Sequence, residues 1–149
     1  MFMKMAIERA RAALAHGDVP VGAVIVSNGE ILGVGENRVQ ADQDPTLHAE
    51  IVALRAAAAK IGQKFMPENA EIYITLEPCA MCATALSFAR ISRIIYAAAD
   101  EKGGAICANS RIFETDKHLF KPEIIRDLTC SDESATLLKE FFKKLRANH

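Results

Sequence analysis

The chain has 149 residues and a formal net charge of −1, with half of its residues apolar and a quarter charged. That length can bury a sizeable core and fits one domain spanning residues 1–149, while the near-zero charge excludes a global basic field for nucleic acid and on its own favours an enzyme of small molecules. No apolar run approaches a membrane span, Met1-Phe2-Met3-Lys4-Met5 lacks the continuous apolar core of a signal peptide, and four cysteines suit a reducing compartment, so a cytoplasmic protein without membrane contact is expected.

Met3, Ile7, Ala10 and Leu14, separated by Lys4, Glu8, Arg9 and Arg11, predict an amphipathic helix that Gly17 stops. His16, at its end, reads as structural. Val19 to Ser27 is apolar and β-branched, Asn28-Gly29 signals a tight turn, and Ile31 to Glu36 returns as the second strand of a hairpin. Gly33 and Gly35 allow a bulge or a close backbone approach there. Residue type makes Asn37 a turn-capping residue and Arg38 a solvated one. Asp44-Pro45-Thr46 starts a helix, with Thr46 as its cap and Ile51, Val52, Leu54 and the following alanines as its buried face. A polar loop over 62–69 leads to a strand, Ala70 to Leu76. Pro78 then suits a first helical position, and Ala83 to Ala89 continue that helix. Arg93 to Ala97 reads as a strand, Asp100 to Ala105 as a Gly-rich turn and Ile124 to Asp127 as a last short strand. Ser131-Asp132-Glu133 caps a final helix whose stripe of Leu137, Leu138, Phe141, Phe142 and Leu145 is expected to be mostly core. Strands alternating with helices imply an α/β fold with parallel neighbours. Cys107 and Cys130 have no ligand-like partners and read as small apolar or surface residues.

The chemistry concentrates in His48-Ala49-Glu50 and Pro78-Cys79-Ala80-Met81-Cys82. Cys79 and Cys82 are three apart, so one helix face presents both sulfurs to a common point. His48 and Glu50, two apart, converge only across an irregular first turn, which Thr46 is expected to supply. Two helix N-termini then face one spot and favour thiolates. Two cysteines and one histidine give three zinc ligands and leave a fourth position for water, whose pKa zinc lowers towards ~7. Glu50 beside them is free to move a proton. A redox CxxC has no use for the HxE segment, and a structural zinc site is normally closed by a fourth Cys or His.

These two segments resemble the HxE…PCxxC signature of the zinc-dependent nucleobase deaminases, in which a zinc-activated water attacks the base and a glutamate moves the protons. Asp18-Val19-Pro20-Val21-Gly22-Ala23, Asn37-Arg38, Asp44-Pro45-Thr46, Thr75-Leu76-Glu77-Pro78-Cys79 and Phe141-Phe142 extend the likeness to the bacterial tRNA-specific adenosine deaminases, from about Ile7 to Arg146. The resemblance implies a three-layer αβα cytidine-deaminase-like fold, with a central mixed sheet of about five strands flanked by helices. It implies one Zn²⁺ per subunit on His48, Cys79 and Cys82, with Glu50 catalytic. It also implies a homodimer acting on the wobble adenosine of a tRNA anticodon loop. Asn37, Val19, Ala49, Asp100, Phe141 and Arg38 would then contact the substrate, and Lys139, Lys143, Lys144 and Arg146 would form a basic patch or a merely solvated face. His118 reads equally as an RNA contact or a surface histidine. The chain departs from the commoner family pattern at Ala97, Ala99 and Glu101. A deaminase of free guanine, cytosine or a nucleoside is the nearest rival, and a non-catalytic RNA-binding protein with structural zinc is another. Glu50 speaks against the latter, since a structural site has no use for it.

Overall fold

The computed structural model describes residues 1–148. Its order is α1 (Phe2–Leu14), β1 (Gly22–Ser27), β2 (Glu30–Glu36), α2 (Val39–Asp42), α3 (Ala49–Ile61), β3 (Ala70–Leu76), α4 (Ala80–Phe88), β4 (Arg93–Ala98), α5 (Ile112–Thr115), β5 (Glu123–Arg126) and α6 (Ser131–Ala147). The five strands form one sheet in the order β2-β1-β3-β4-β5. β1 runs antiparallel to both β2 and β3, whereas β3, β4 and β5 are parallel. The sheet is therefore mixed: the hairpin supplies the antiparallel edge, and the helix-linked strands supply the parallel half.

Side chains alternate across the sheet as strand geometry requires. Ala23, Ile25, Ile72, Ile74 and Ile94 pack beneath Ala49, Ala53 and Ala57 of α3 and Ala83 and Leu86 of α4. On the opposite face Val24, Val26, Ile95 and Ala97 meet Met3, Ile7 and Ala10 of α1 and Leu137 of α6. Helices thus cover both faces, giving the three-layer arrangement. The hairpin turn falls at Asn28 and Gly29, whose φ values of 50° and 80° are those a tight two-residue turn demands.

Four local expectations differ. The strand expected from Val19 begins only at Gly22, because Val19-Pro20-Val21 runs as irregular chain before it. In α3 the buried face consists of Ala49, Glu50, Ala53 and Ala57, while Ile51, Val52 and Leu54 are only partly covered. In α6, Leu137 is buried, but Phe142 and Leu145 are exposed, so the apolar stripe leaves the core half-way along the helix. Ser131 is the first helical residue of α6, Cys130 holds the cap position, and no side chain caps the helix end.

The small face of α3 has a cause in β2. The register shift between Ile25 and Val26 leaves Leu32 as an extra residue in β2, a bulge beside Gly33. A Cβ on Gly33 would lie 2.5 Å from the Ala53 carbonyl oxygen, and one on Gly35 would lie 2.5 Å from that of Ala49. The helix therefore rides on bare backbone, and its first residue is held close to the sheet. Gly35→Ala should cost more than about 2 kcal/mol by overpacking, and, by lifting the helix start next to His48, should weaken zinc retention against a chelator. Gly33→Ala, one turn further along α3, should cost similar stability yet spare zinc. Thermal melts and chelator competition on both variants check this; equal zinc retention in the two would contradict it.

Candidate active site

His48 is the N-cap residue of α3, with extended backbone at φ −66° and ψ 158°, and Glu50 is the second residue inside the helix. This switch from extended to helical backbone lets side chains two apart converge. Thr46 is not the cap: its N–H and its hydroxyl both donate to Asp44 Oδ1, at 2.9 and 2.7 Å, closing a turn ahead of the helix, and only its carbonyl reaches the cap residue, accepting from the His48 N–H at 2.8 Å. Likewise Pro78 lies before α4, and Cys79 occupies the N-cap with φ −73° and ψ 173°. Both helices thus place a functional residue where Ser, Thr or Asp would ordinarily sit.

His48 Nδ1 lies 3.5 Å from Cys79 Sγ and 3.5 Å from Cys82 Sγ. The three ligand atoms lie within 4.8 Å of one another, and they form the metal-binding cluster found among the described residues. With Zn–S near 2.3 Å and Zn–N near 2.0–2.1 Å, a tetrahedral edge between sulfur and nitrogen is roughly 3.5 Å, so the donor set and its spacing fit zinc. Without metal, the hydrogen bond from Cys82 holds the Cys79 thiol down at about 4, ahead of the help from His48. The same bond, together with burial, pushes the Cys82 thiol up. Cys79 also raises the pKa of His48 by hydrogen bonding to it.

Glu50 is 4% exposed. Burial pushes its carboxyl up to about 7, with its own backbone amide opposing in part. Its side chain faces a cavity of about 670 Å³ shared with His48 and Cys79. Val19, Asn37, Ala49 and Asp100 also line that cavity. Asn37 Oδ1 accepts from the Val39 amide at 3.1 Å, so this residue caps its turn while also lining the cavity. Asp100 Oδ1 accepts from the amides of Lys102 and Gly103, so the carboxylate organises its own loop.

Two expected positions shift. Phe142, rather than Phe141, walls the main cavity, and Phe141 lines an adjoining groove that shares Val19, Asn37 and His48. The Arg38 guanidinium lies outside the cavity and donates two hydrogen bonds to Asp42, at 2.8 and 3.0 Å. Of the C-terminal cations, Lys139 and Arg146 line the cavity together with Lys102, so a local basic rim exists on a chain of nearly zero charge. His118 is exposed, and its backbone N–H donates to Asp116.

Two buried acids shape the site without having been singled out in the sequence. Asp18, 1% exposed, accepts from the amides of Gln40 and Ala41 and pairs with His16, and so ties the segment after Asn37 to the end of α1. Glu77, 3% exposed, accepts from four backbone amides of the loop after β4. The sign of Glu77's role in the sequence is Gly104, where a Cβ would lie 2.5 Å from Glu77 Cδ.

A three-layer αβα fold that brings an HxE helix start and a CxxC helix start to three zinc ligands defines a zinc-dependent deaminase. Residues 1–98 match the family of the cytidine and deoxycytidylate deaminase zinc-binding region. The tRNA-specific adenosine deaminase of Agrobacterium fabrum is 43% identical over 97% of this chain and 94% of its own length. A solved tRNA A34 deaminase superposes with a TM-score of 0.87 at 42% identity, over 92% of this chain and 98% of that one. The guanine deaminase of Bacillus subtilis superposes at 0.65 with 32% identity, over 93% and 92% of the two chains. The chain belongs to the tRNA-specific adenosine deaminases, within the zinc-binding deaminase family.

Proposed function

We infer that the whole chain works as one hydrolytic deaminase, converting adenosine to inosine at the wobble position of a tRNA anticodon with release of ammonia. The observation that carries this reading is the buried Glu50 carboxyl facing the same cavity as the ligand set, beneath a rim of Lys102, Lys139 and Arg146. Zinc held by His48, Cys79 and Cys82 supplies Lewis-acid activation of water. Addition of water at C6 of adenine and departure of the amino group require proton movement at two places. Glu50, with a carboxyl near neutrality and shielded from bulk solvent, is placed to take the water proton, pass it to the ring nitrogen and assist the leaving amine. Asn37, Val19 and the backbone at Ala49 hold the base, while Asp100 and the Phe141–Phe142 pair bound the nucleotide. An anticodon loop presents an unstacked base, so no duplex is opened. Arg38, paired with Asp42, joins the contact surface only by exchanging that partner for phosphate. A cytoplasmic homodimer belongs to the same reading. Four cysteines, two of them zinc ligands in this reading, accord with the compartment, and sedimentation velocity tests the dimer.

Ammonia release should be measured against adenosine, guanine, cytosine, cytidine and an anticodon stem-loop. Turnover of the stem-loop with none of free adenosine is expected. If the three rim cations each contact one phosphate, log kcat/KM should fall against log salt with a slope of about −2. Salt-independent turnover of a free base would instead identify a free-base deaminase.

A further inference from the structure

We propose that Glu77 is a positioning residue for substrate binding, tying the loop that walls the cavity to the segment that carries the zinc-ligating cysteines. This rests on the deaminase reading above. Glu77 stands two residues before Cys79, at the end of β3, where its own N–H donates to the Ala98 carbonyl at 2.8 Å. Its Oε1 accepts from the Asp100 amide at 3.2 Å. Its Oε2 accepts from the amides of Ile106, Cys107 and Ala108 at 3.1, 3.0 and 3.2 Å. Between these two anchor points the chain passes through Asp100, Lys102 and Gly103, which line the cavity. Asn109 clamps the same loop from outside, its side-chain amide donating to the carbonyls of Glu101, Lys102 and Gly104 at 3.3, 3.0 and 2.8 Å. A buried carboxylate with four amides on it is far more than a strand end requires, and the loop has neither helix nor strand to hold it. One side chain therefore fixes where the wall stands relative to the metal ligands.

Glu77→Gln keeps the shape but replaces one acceptor oxygen by a donor. With its remaining oxygen on the 106–108 amides, the new NH₂ opposes the Asp100 N–H, and the Asp100–Gly103 wall loosens. On the stem-loop, KM should rise tenfold or more while kcat stays within about threefold, because binding common to ground and transition state is what is lost. Zinc content should stay at the wild-type level. Hydrogen exchange judges the same claim without activity: the Asp100 amide should exchange at least tenfold faster in the variant, with or without RNA. A lower Tm with unchanged KM and unchanged Asp100 exchange would make Glu77 purely structural and overturn the proposal, as would loss of zinc. If Glu77→Gln does not fold, Asn109→Gly decides, since it keeps the left-handed backbone at Asn109 (φ 52°) and removes only the outer clamp. It too should raise KM with zinc retained, and an unchanged KM counts against the proposal. A wild-type protein inert on RNA would refute the substrate assignment alone and leave the exchange result to judge Glu77.

Discussion

Replacing Glu50 by glutamine is expected to lower turnover by roughly 10²–10⁴ while zinc remains bound, the range attributed to a positioned general acid–base. The carboxyl is buried and faces the cavity, so glutamine fits its space without a new void. It is not among the clustered ligand atoms of His48, Cys79 and Cys82, so metal content should not change. In this reading the proton movements at the attacking water, the ring nitrogen and the leaving amine all depend on this one group, and removing it disables them together. Stopped-time ammonia release and zinc analysis on the same preparation check the result. Turnover within tenfold of wild type, with zinc in place, would refute the role given to Glu50.

The second large effect concerns the metal. Stripping zinc, or making Cys82→Ala, is expected to abolish measurable turnover and to lower stability. Zinc at a thousand times its Kd stabilises the folded chain by about 4 kcal/mol, which for a domain of this size is roughly 8–16 °C in Tm. The sheet and both apolar clusters do not include the ligands apart from their neighbours in α3 and α4, so the metal-free protein should still fold. Readdition of zinc should restore turnover and Tm in the stripped wild type but not in the alanine variant. A Cys82→Ala protein with wild-type zinc content would remove Cys82 from the ligand set.

The strand at Ala70–Leu76 and the hairpin around Asn28-Gly29 were legible because alternation and turn chemistry act locally. The ligands were legible for a different reason, since few arrangements other than a metal site use HxE and CxxC together. What sequence misplaced were the helix starts carrying them. Thr46 and Pro78 have the residue types of a cap and a first position, yet His48 and Cys79 hold the N-caps. Function has displaced local preference at those two places, where rules of propensity are expected to fail. The apolar stripe of α6 carried the opposite error. Periodicity marks an apolar face but not what covers it, and beyond Leu138 that face turns from the sheet to the cavity mouth. Asp18 was illegible as an anchor because its partners are backbone amides 22 and 23 residues away, and N–H groups leave no mark of residue type; for Glu77, with partners 23 to 31 residues away, the one trace is Gly104, whose missing side chain leaves room for the carboxylate.

X-ray absorption at the zinc edge of the purified enzyme tests the account most directly. Two sulfurs, one nitrogen and one light oxygen scatterer per zinc is the expected first shell, unchanged in Glu50→Gln. A fourth sulfur or nitrogen from the protein in place of that oxygen would contradict the account, because water would then have no place beside Glu50.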